Sequence, residues 1–467
     1  MSCLTPTRQD GDVGTHFDLA VIGTGSGNGI ADDSFTDWEV AIIEQGVFGG
    51  TCLNRGCIPT KMLVYPADLS FAARHGPDLG VHTSFTSADW PAIRDRIFTR
   101  IDPISEGGRH WRAEGRSNVR LYEGHARFVD ERTLDTGTGE TITADHVVVA
   151  TGSRPVIPDV PGLDDVDFHT SDTIMRIDAL PARLLILGGG VISAEFAHVF
   201  SAFGSQVTVI NRSELLLGQQ DHEIAGHFTE QARRRWDLRL GRTVDRIEPW
   251  NEGLRAHLDD GSTVEADTLL VATGRRANSD LLGLDKAGVA VGADGLVQVD
   301  HHQRTTAPGV WALGDVSNTF QLKHLSNEEA RVVQHNLLHP DDLHSTDHDR
   351  VPSAVFSLPQ IASIGLTERQ AEDAGRPFVV SKQYYGDTAY GWAMEDTTSF
   401  VKLVADPTTG LLLGAHLLGP QSANLIQPLI QAMSFRQRAT DVARGQYWIH
   451  PALMEVVENA LLGLGLD

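Results

Sequence analysis

Residues 49–61 read Gly49-Gly-Thr-Cys-Leu-Asn-Arg-Gly-Cys-Ile-Pro-Thr-Lys61. This segment holds two of the chain's three cysteines, Cys52 and Cys57, with four residues between them. Two thiols at this spacing can close a small ring and open it again, which is the chemistry that a two-electron relay needs. A possible dinucleotide-binding turn, Gly23-x-Gly25, precedes the segment. We therefore interpret Cys52 and Cys57 as a redox-active pair.

Two other roles for the cysteines stay open on their spacing alone. Both could be buried structural thiols, or together they could form half of a metal site. A zinc site needs two further ligands, and the only other cysteine, Cys3, lies in the N-terminal tail. The sequence therefore disfavours a Cys-rich metal site, and we expect no metal.

Composition limits the class of protein. A chain of 467 residues is long enough for about three domains with large cores. The net charge of −24 disfavours nucleic acid or an anionic membrane as a partner. The chain has no apolar run of about twenty residues, and its first fifteen lack a signal-peptide core. Because three cysteines do not make a secreted disulfide framework, we expect a cytoplasmic protein.

Two strand–glycine–helix–strand patterns predict two dinucleotide-binding units. The first pattern runs from an apolar strand at residues 17–22 through Gly23, Gly25 and Gly27 to a second strand that ends at Glu44. A glycine-rich turn lets a pyrophosphate approach backbone N–H groups at a helix start. An acid at the end of the second strand can accept hydrogen bonds from ribose hydroxyls.

The helix predicted after this first turn has two unusual features. Asn28 replaces the third glycine, so helix packing must tolerate an asparagine or shift to Gly29. The same helix is acidic, with Asp32, Asp33 and Asp37 along it.

The second pattern begins with a strand at residues 183–187 and continues through Gly188 and Gly190 into a helix. An NAD-specific site would place an acid after the next strand, but Asn211 and Arg212 stand there. A missing carboxylate removes repulsion of a 2′-phosphate, and an arginine can pair with it. An ordinary surface arginine is the alternative, and we favour NADPH over NADH.

The C-terminal part shows a different pattern of predicted elements. A strand pair with a turn from Asp406 to Gly410 predicts a hairpin, and helices are predicted at 422–435 and from Pro451. His450 precedes that proline, and Glu455 lies one turn into the predicted helix. A carboxylate there can orient the imidazole for proton transfer, although the short string in isolation favours a buried structural histidine. A His- and Asp-rich stretch at 339–349 resembles a metal-binding tract, but we interpret it as a solvated connection.

Together these residues resemble the flavoprotein disulfide reductases, the class I pyridine nucleotide–disulfide oxidoreductases, from about residue 17 to residue 464. The resemblance implies an α/β fold with two Rossmann-like dinucleotide-binding domains, for FAD and NADPH, and a C-terminal α+β dimerisation domain. The implied boundaries are 15–150 for the first part of the FAD-binding domain, 151–275 for the NADPH-binding domain, 276–345 for the central FAD-binding part and 346–467 for the dimerisation domain.

The resemblance also assigns cofactor residues by position, and it assigns no metal ligand. For FAD the matched positions are Gly23, Gly25, Gly27, Glu44, Thr51, Lys61, Thr151, Gly152, Gly314 and Asp315. For NADPH they are Gly188, Gly190, Glu195, Asn211, Arg212 and Gly274.

A mechanism follows from the same resemblance. Electrons from NADPH are expected to reach the Cys52–Cys57 disulfide through FAD, with Cys57 as the charge-transfer thiolate. Cys52 is expected to attack a small-molecule disulfide, and His450, oriented by Glu455, to move the proton. Because the family's histidine serves the cysteines of the other subunit, we expect a homodimer.

The substrate is harder to predict. Reductases for glutathione use arginines near the first helix, whereas this chain has no Lys or Arg between Phe17 and Trp38. A neutral or cationic disulfide is therefore expected. The string at residues 22–28, the cysteine segment and Gln321-Leu-Lys-His324 resemble the family members that reduce the disulfide of a cysteinyl glucosaminyl-inositol. Arg55, where many relatives have valine, could contact substrate, favour the thiolate or face solvent.

Four other functions fit the sequence less well. A dihydrolipoyl dehydrogenase would carry an acid at Asn211, and a mercuric reductase would carry paired cysteines at its C-terminus. A flavin-binding redox sensor without turnover would not need the full set of cysteines, Lys61–Glu195 and His450–Glu455. A quinone or oxygen reductase that uses flavin alone would not need His450.

Overall fold

The computed structural model describes residues 14–466. Cys3, together with the other residues before Gly14, and Asp467 lie outside the described residues, so the prediction made for the N-terminal tail is not addressed. Within the described range, no helix is long and apolar enough to cross a membrane.

The strands are numbered β1 to β21 in chain order. They are Thr15–Ile22, Val40–Ile43, Val119–Tyr122, Arg127–Asp130, Thr133–Asp135, Thr141–Val149, Ser153–Pro155, Arg183–Leu187, Gln206–Asn211, Asp237–Leu240, Val244–Trp250, Gly253–Leu258, Thr263–Ala266, Thr268–Val271, Arg275–Ala277, Val310–Ala312, Ser353–Val355, Ile361–Gly365, Val379–Tyr384, Phe400–Ala405 and Leu412–Leu418.

The α-helices are numbered α1 to α12 in the same way. They are Gly50–Asn54, Cys57–His75, Trp90–Glu114, Val191–Phe203, His222–Arg233, Lys323–Leu338, Glu368–Asp373, Ala389–Ala393, Ser422–Leu425, Gln427–Ser434, Ala439–Arg444 and Glu455–Leu462.

Contacts divide the chain into two units. The first comprises the described residues up to Asn54, Arg100–Arg154 and Arg276–Thr346, and the second comprises Arg55–Thr99, Pro155–Arg275 and the residues from Asp347 onward.

The first unit is built on one sheet with the strand order β3-β2-β1-β6-β5-β4, and β16 also pairs with β6. The pairs β1/β2, β1/β6, β2/β3 and β6/β16 are parallel. Alternate residues of β1 enter two separate cores, Ala20 and Ile22 in one and Leu19 and Val21 in the other. Apolar packing therefore covers both faces, as expected for the parallel part of an α/β sheet.

The second unit contains a parallel sheet with the order β10-β9-β8-β14. Helix α4 connects β8 and β9, which completes the predicted strand–glycine–helix–strand unit. A three-stranded antiparallel sheet, β11-β12-β13, lies in the same unit.

The C-terminal part of this second unit is an antiparallel sheet with the order β17-β18-β21-β20-β19. Strands β20 and β21 form the predicted hairpin, and the amide of Gly410 donates to the carbonyl of Asp406 at 2.9 Å within its turn. Leu429 of α10 and Val456 of α12 join Val401 of the sheet in one apolar core. The predicted α/β fold with a C-terminal α+β part is confirmed.

Three helix predictions are wrong in detail. No α-helix follows Gly23–Gly27: the chain forms short 3₁₀ turns at Gly27–Gly29 and Asp33–Phe35. The predicted 422–435 helix is divided into α9 and α10, because Pro428 at the start of α10 lacks an amide hydrogen.

The third difference concerns the last helix. It begins at Glu455 and not at Pro451, because residues 451–454 form a turn in which the amide of Glu455 donates to the carbonyl of Ala452 at 3.1 Å. Glu455 is therefore the first residue of α12, where the positive end of the helix stabilises a carboxylate.

A chain of polar contacts centred on the buried His198 joins α2 to α4 in the second unit. His198, which is 0% exposed, contacts the Asp68 carboxylate through Nε2 at 2.8 Å. Its Nδ1 lies 2.8 Å from Nη2 of Arg235. Because a guanidinium can only donate, Nδ1 must accept, so the neutral Nε2–H tautomer of His198 donates to Asp68. Burial lowers the pKa of His198 and lowers that of Arg235 to about 10.

We predict that His198→Leu lowers the free energy of unfolding by about 2–3 kcal/mol, because Asp68 and Arg235 lose their shared partner. His198→Gln should lose less than half as much, since a carboxamide can accept from Arg235 and donate to Asp68. Urea denaturation at pH 8 measures both variants.

The lowered pKa of His198 also makes the stability of the protein depend on pH. Since the pKa of His198 is lowered on folding, its contribution is fully present above the unfolded histidine pKa of about 6.5 and is lost as the pH falls below it. The stability of His198→Gln should decrease less steeply from pH 6.5 to pH 5 than that of the unsubstituted protein. Identical slopes, or equal losses for Leu and Gln, would contradict this role.

Candidate active site

The first glycine turn lies at the carboxyl edge of the parallel strands in the first unit. The register pairs Ile22 with Ile43 and with Val149, so Gly23, Glu44 and the segment from Ala150 all begin at one edge. Gly23 has φ +104°, and a Cβ atom on it would lie 2.4 Å from the carbonyl oxygen of Ala150. Only glycine fits this combination of conformation and close approach.

The third glycine of the pattern is expected to allow close packing against the neighbouring strand. In the structure, neither Asn28 nor Gly29 has this role. A Cβ on Gly27 would lie 2.5 Å from the Ala150 side chain, whereas Gly29 has open space around it. Gly27 therefore permits the close contact, so of the two alternatives the shift to Gly29 does not occur. Asn28 is held through its carbonyl, which accepts from Nη2 of Arg112 at 2.7 Å.

Glu44 is oriented by the turn itself. Its Oε2 accepts from the amide and the hydroxyl of Thr24 at 2.9 and 2.6 Å, and its Oε1 accepts from the amide of Gly46 at 2.8 Å. The Thr24 hydroxyl also accepts from the amide of Gly49, at 3.0 Å, just before the cysteine segment. Sequence reasoning missed Thr24, because it occupies a variable position of the glycine pattern.

Further predicted FAD positions meet at the same edge of the first unit. The pairing of Val149 with Ala312 brings Thr151 and Gly152 beside Gly314 and Asp315. Oδ2 of Asp315 accepts from the hydroxyl of Ser153 at 2.7 Å. The buried atoms Thr151 Oγ1 and Asn28 Oδ1 have no hydrogen-bond partner among residues 14–466. A glycine turn, an oriented acid and unsatisfied polar atoms fit the phosphates and hydroxyls of FAD.

The two cysteines lie on consecutive helices. Cys52 is in the short helix α1 and is half-buried, whereas Cys57 is the first residue of α2 and is exposed. Neither is a buried structural thiol. Thr51, which precedes Cys52, is exposed. A helix N-terminus favours a thiolate, and Cys57 occupies that position.

Lys61, one turn into α2, forms an ion pair with Glu195 of α4. Nζ lies 2.8 Å from Oε2, and the Lys61 ammonium also sits 4.1 Å from the centre of the Phe356 ring. Oε1 of Glu195 accepts from the amide of Phe356 at 2.8 Å. Both oxygens of this largely buried carboxylate are therefore engaged, which fixes the lysine on the helix that begins at Cys57.

The second glycine turn repeats the geometry of the first. Gly188 has φ +112°, and a Cβ on it would lie 2.3 Å from the carbonyl oxygen of Ala272. Strand β14 pairs Val271 with Leu187, so Gly274 follows at the same edge as Gly188 and Gly190.

Asn211 and Arg212 have different roles at this edge. The Asn211 amide donates to the carbonyls of Ser213 and Leu215 at 3.1 and 3.0 Å and so shapes its own loop. Arg212 is exposed and forms no ion pair among the described residues. The asparagine is thus occupied locally, while the guanidinium is available to an anionic ligand.

His450 and Glu455 form a close pair in the second unit. Nδ1 of His450 lies 2.6 Å from Oε1 of Glu455, with the histidine side chain 70% exposed. Oε2 of Glu455 is buried without a partner in the described chain. Burial raises the pKa of the neighbouring Glu458, and the negative charge of Glu455 raises it further. The exposed imidazole can therefore transfer a proton through Nε2 while Nδ1 is held.

Arg55, between the cysteines, is not simply solvent-facing. Its Nη1 lies 3.2 Å from Oδ2 of Asp172, and the other carboxylate oxygen lies 3.8 Å from Nη1 of Arg275. Asp172 therefore ties the residue after α1 to the residue after Gly274. It was not predicted, because it is 117 positions from Arg55.

One group of metal-type ligands occurs in the described range, and it contains neither cysteine. His335, Asp342 and His344 place ligand atoms within 4.8 Å of one another. The His335 and His344 rings are stacked at 12°, so their lone pairs do not converge, and Nε2 of His335 lies 2.7 Å from the Asp342 carbonyl. This geometry is that of a packed loop.

Comparison with known proteins is consistent with this geometry. Residues 17–330 match the family model "Pyridine nucleotide-disulphide oxidoreductase", and residues 351–461 match the dimerisation domain of the same family. The chain belongs to that family. It is 53% identical over 96% of its length to the mycothione reductase of Mycobacterium tuberculosis, 99% of which is covered. It is 33% identical over 94% of its length to the glutathione reductase of Burkholderia cepacia, 97% of which is covered.

A solved structure shows the same architecture. The Cu(II) complex of the HOCl-induced flavoprotein disulfide reductase RclA from Escherichia coli is 29% identical, with a TM-score of 0.84 over 94% of this chain and 98% of that one. The chain is therefore an oxidoreductase of the disulfide reductase type, with FAD and a nicotinamide dinucleotide as the family's cofactors.

We predict that Arg212→Glu raises the KM for NADPH at least tenfold, because a carboxylate replaces the cation that would pair with the 2′-phosphate. The KM for NADH should change by less than a factor of about two. Arg234→Glu, at another exposed arginine of the same unit, is the matched control for net charge. Equal losses with both nucleotides would remove Arg212 from the 2′-phosphate site.

Proposed function

We propose that this chain is an NADPH-dependent reductase of mycothione, the disulfide of mycothiol. The observation that carries the proposal is the difference in identity: 53% to a mycothione reductase against 33% to a glutathione reductase, each over nearly the whole chain. The redox segment, both glycine turns and the His450–Glu455 pair support the same chemistry.

The cysteines divide the work between them. The Gly23–Gly27 turn and Glu44 would hold FAD, which would supply the two-electron transfer between NADPH and the Cys52–Cys57 disulfide. The Cys52 thiolate then attacks one sulfur of the substrate, so that a mixed disulfide forms and one thiol leaves. Cys57 attacks the Cys52 sulfur of that mixed disulfide, which releases the second thiol and restores the Cys52–Cys57 bond. Each cycle therefore converts one disulfide into two thiols.

His450 supplies the protons of this exchange. It takes the Cys52 proton and returns it to the leaving thiolate, while Glu455 holds Nδ1 at 2.6 Å. The exposure of the imidazole supports a site completed by a second copy of the chain, with His450 acting on the cysteines of the other subunit. We propose a homodimer with two shared active sites, located in the cytoplasm, where thiols are kept reduced.

Charge near the first glycine turn supports a substrate without carboxylates. Asp32, Asp33 and Asp37 lie in the segment after the turn, and no lysine or arginine accompanies them. Two arginines that contact this segment already have partners. Arg112 and Arg116 both donate to the backbone carbonyl of Ala31, at 3.0 and 2.7 Å. Glutathione carboxylates would find no available guanidinium among these arginines.

The test compares three disulfides with each nicotinamide cofactor on the purified, FAD-loaded protein. NADPH oxidation should be fast with mycothione and at least a hundredfold slower, as kcat/KM, with oxidised glutathione and with lipoamide. Cys52→Ser should abolish turnover of every disulfide. Turnover with lipoamide alone, and only with the NAD couple, would instead assign a dihydrolipoyl dehydrogenase. Fast turnover by His450→Ala would indicate flavin-only chemistry.

A further inference from the structure

The first glycine turn lacks the helix that normally helps to bind a pyrophosphate. An α-helix places about half a positive charge at its N-terminus, where a phosphate can bind. The second turn has such a helix, the 13-residue α4, whereas the first is followed by the three-residue turns at Gly27–Gly29 and Asp33–Phe35. Asp32, Asp33 and Asp37 add negative charge to the same segment. Another source of positive charge is needed there.

Lys323 lies at this turn. It is the first residue of α6, and its ammonium donates to the hydroxyl of Ser26 at 2.8 Å. The Ser26 hydroxyl in turn donates to Oδ1 of Asn327, one turn further along α6, at 3.2 Å. Farther along the helix, the Gln334 amide donates to the carbonyl of Ile30 at 2.9 Å. Helix α6 is thus anchored along the segment that replaces the expected helix, with its lysine at the glycine turn.

The charge of Lys323 is not neutralised within the described chain. The sequence contains five lysines, and Lys61, Lys382 and Lys402 each form an ion pair with a carboxylate. Lys286 is exposed, whereas Lys323 is half-buried and forms no ion pair among residues 14–466. Partial burial of an ammonium without a counter-charge is unfavourable. An anionic ligand at the turn would relieve that penalty.

We propose that Lys323 binds the pyrophosphate of FAD and supplies the positive charge that an α-helix would otherwise contribute at the first glycine turn. A lysine suits this position because it is a compact point charge that needs no fixed fork geometry. Ser26 holds the ammonium toward the turn. This inference rests on the proposed assignment of the Gly23–Gly27 turn to FAD.

The test measures FAD binding to the apoprotein by the quenching of flavin fluorescence, independently of turnover. Lys323→Gln should raise the FAD dissociation constant tenfold to a hundredfold, as expected for the loss of a hydrogen bond to a charged group. Lys323→Arg should stay within about threefold of the unsubstituted protein. Arg331→Gln removes a positive charge from an exposed position on the same helix, and it should bind FAD normally.

Salt dependence and folding separate the possible causes. FAD affinity of the unsubstituted protein should fall more steeply with ionic strength than that of Lys323→Gln. Unchanged FAD affinity in Lys323→Gln, or an equal loss in Arg331→Gln, would overturn the role of Lys323. The apoproteins should unfold at the same temperature. If Lys323→Gln and Lys323→Arg both unfolded at a lower temperature than the unsubstituted apoprotein, Lys323 would have a structural role instead. An unsubstituted apoprotein that binds no FAD would overturn the proposed function as well.

Discussion

The close approach of two glycines to neighbouring strands is the constraint on which both nucleotide sites depend. At Gly23 and again at Gly188, a Cβ would lie 2.4 or 2.3 Å from the carbonyl oxygen of the residue that follows the adjacent parallel strand. Each glycine lets the chain turn immediately at the strand's carboxyl end, where a ligand can approach the backbone. In the first unit, this turn also carries Thr24, whose hydroxyl joins Glu44 to the start of the cysteine segment.

Helix α2 carries one of the two redox cysteines in the second unit. It begins at Cys57, and two polar contacts hold it to α4: the Lys61–Glu195 ion pair at 2.8 Å and the Asp68–His198 hydrogen bond at 2.8 Å. Because α4 follows the second glycine turn, these contacts also fix the position of α2 relative to that turn. Two spaced contacts restrict rotation of a helix better than one, which suits a site that needs fixed geometry.

Local patterns in the sequence were sufficient for the glycine turns, the cysteine pair and the C-terminal hairpin. They failed where distant residues decide the outcome. Asp68 and His198 are 130 positions apart, and no local signal connects them. The helix expected after Gly27 was wrong because the glycine pattern fixes only the turn, whereas Arg112 and α6 hold the following segment through its carbonyls. The start of α12 was misplaced because a proline is compatible with either a turn or a helix start.

The central claim is that electrons pass through Cys57 to Cys52 and then to a disulfide. Anaerobic addition of one equivalent of NADPH to the FAD-loaded protein tests it most directly. The account predicts a long-wavelength charge-transfer absorbance, due to the Cys57 thiolate beside oxidised FAD, in the unsubstituted protein after the addition and in Cys52→Ser before any NADPH is added. Cys57→Ser should lack it. A band of equal strength in Cys57→Ser, or its absence from the unsubstituted protein, would contradict the thiol relay.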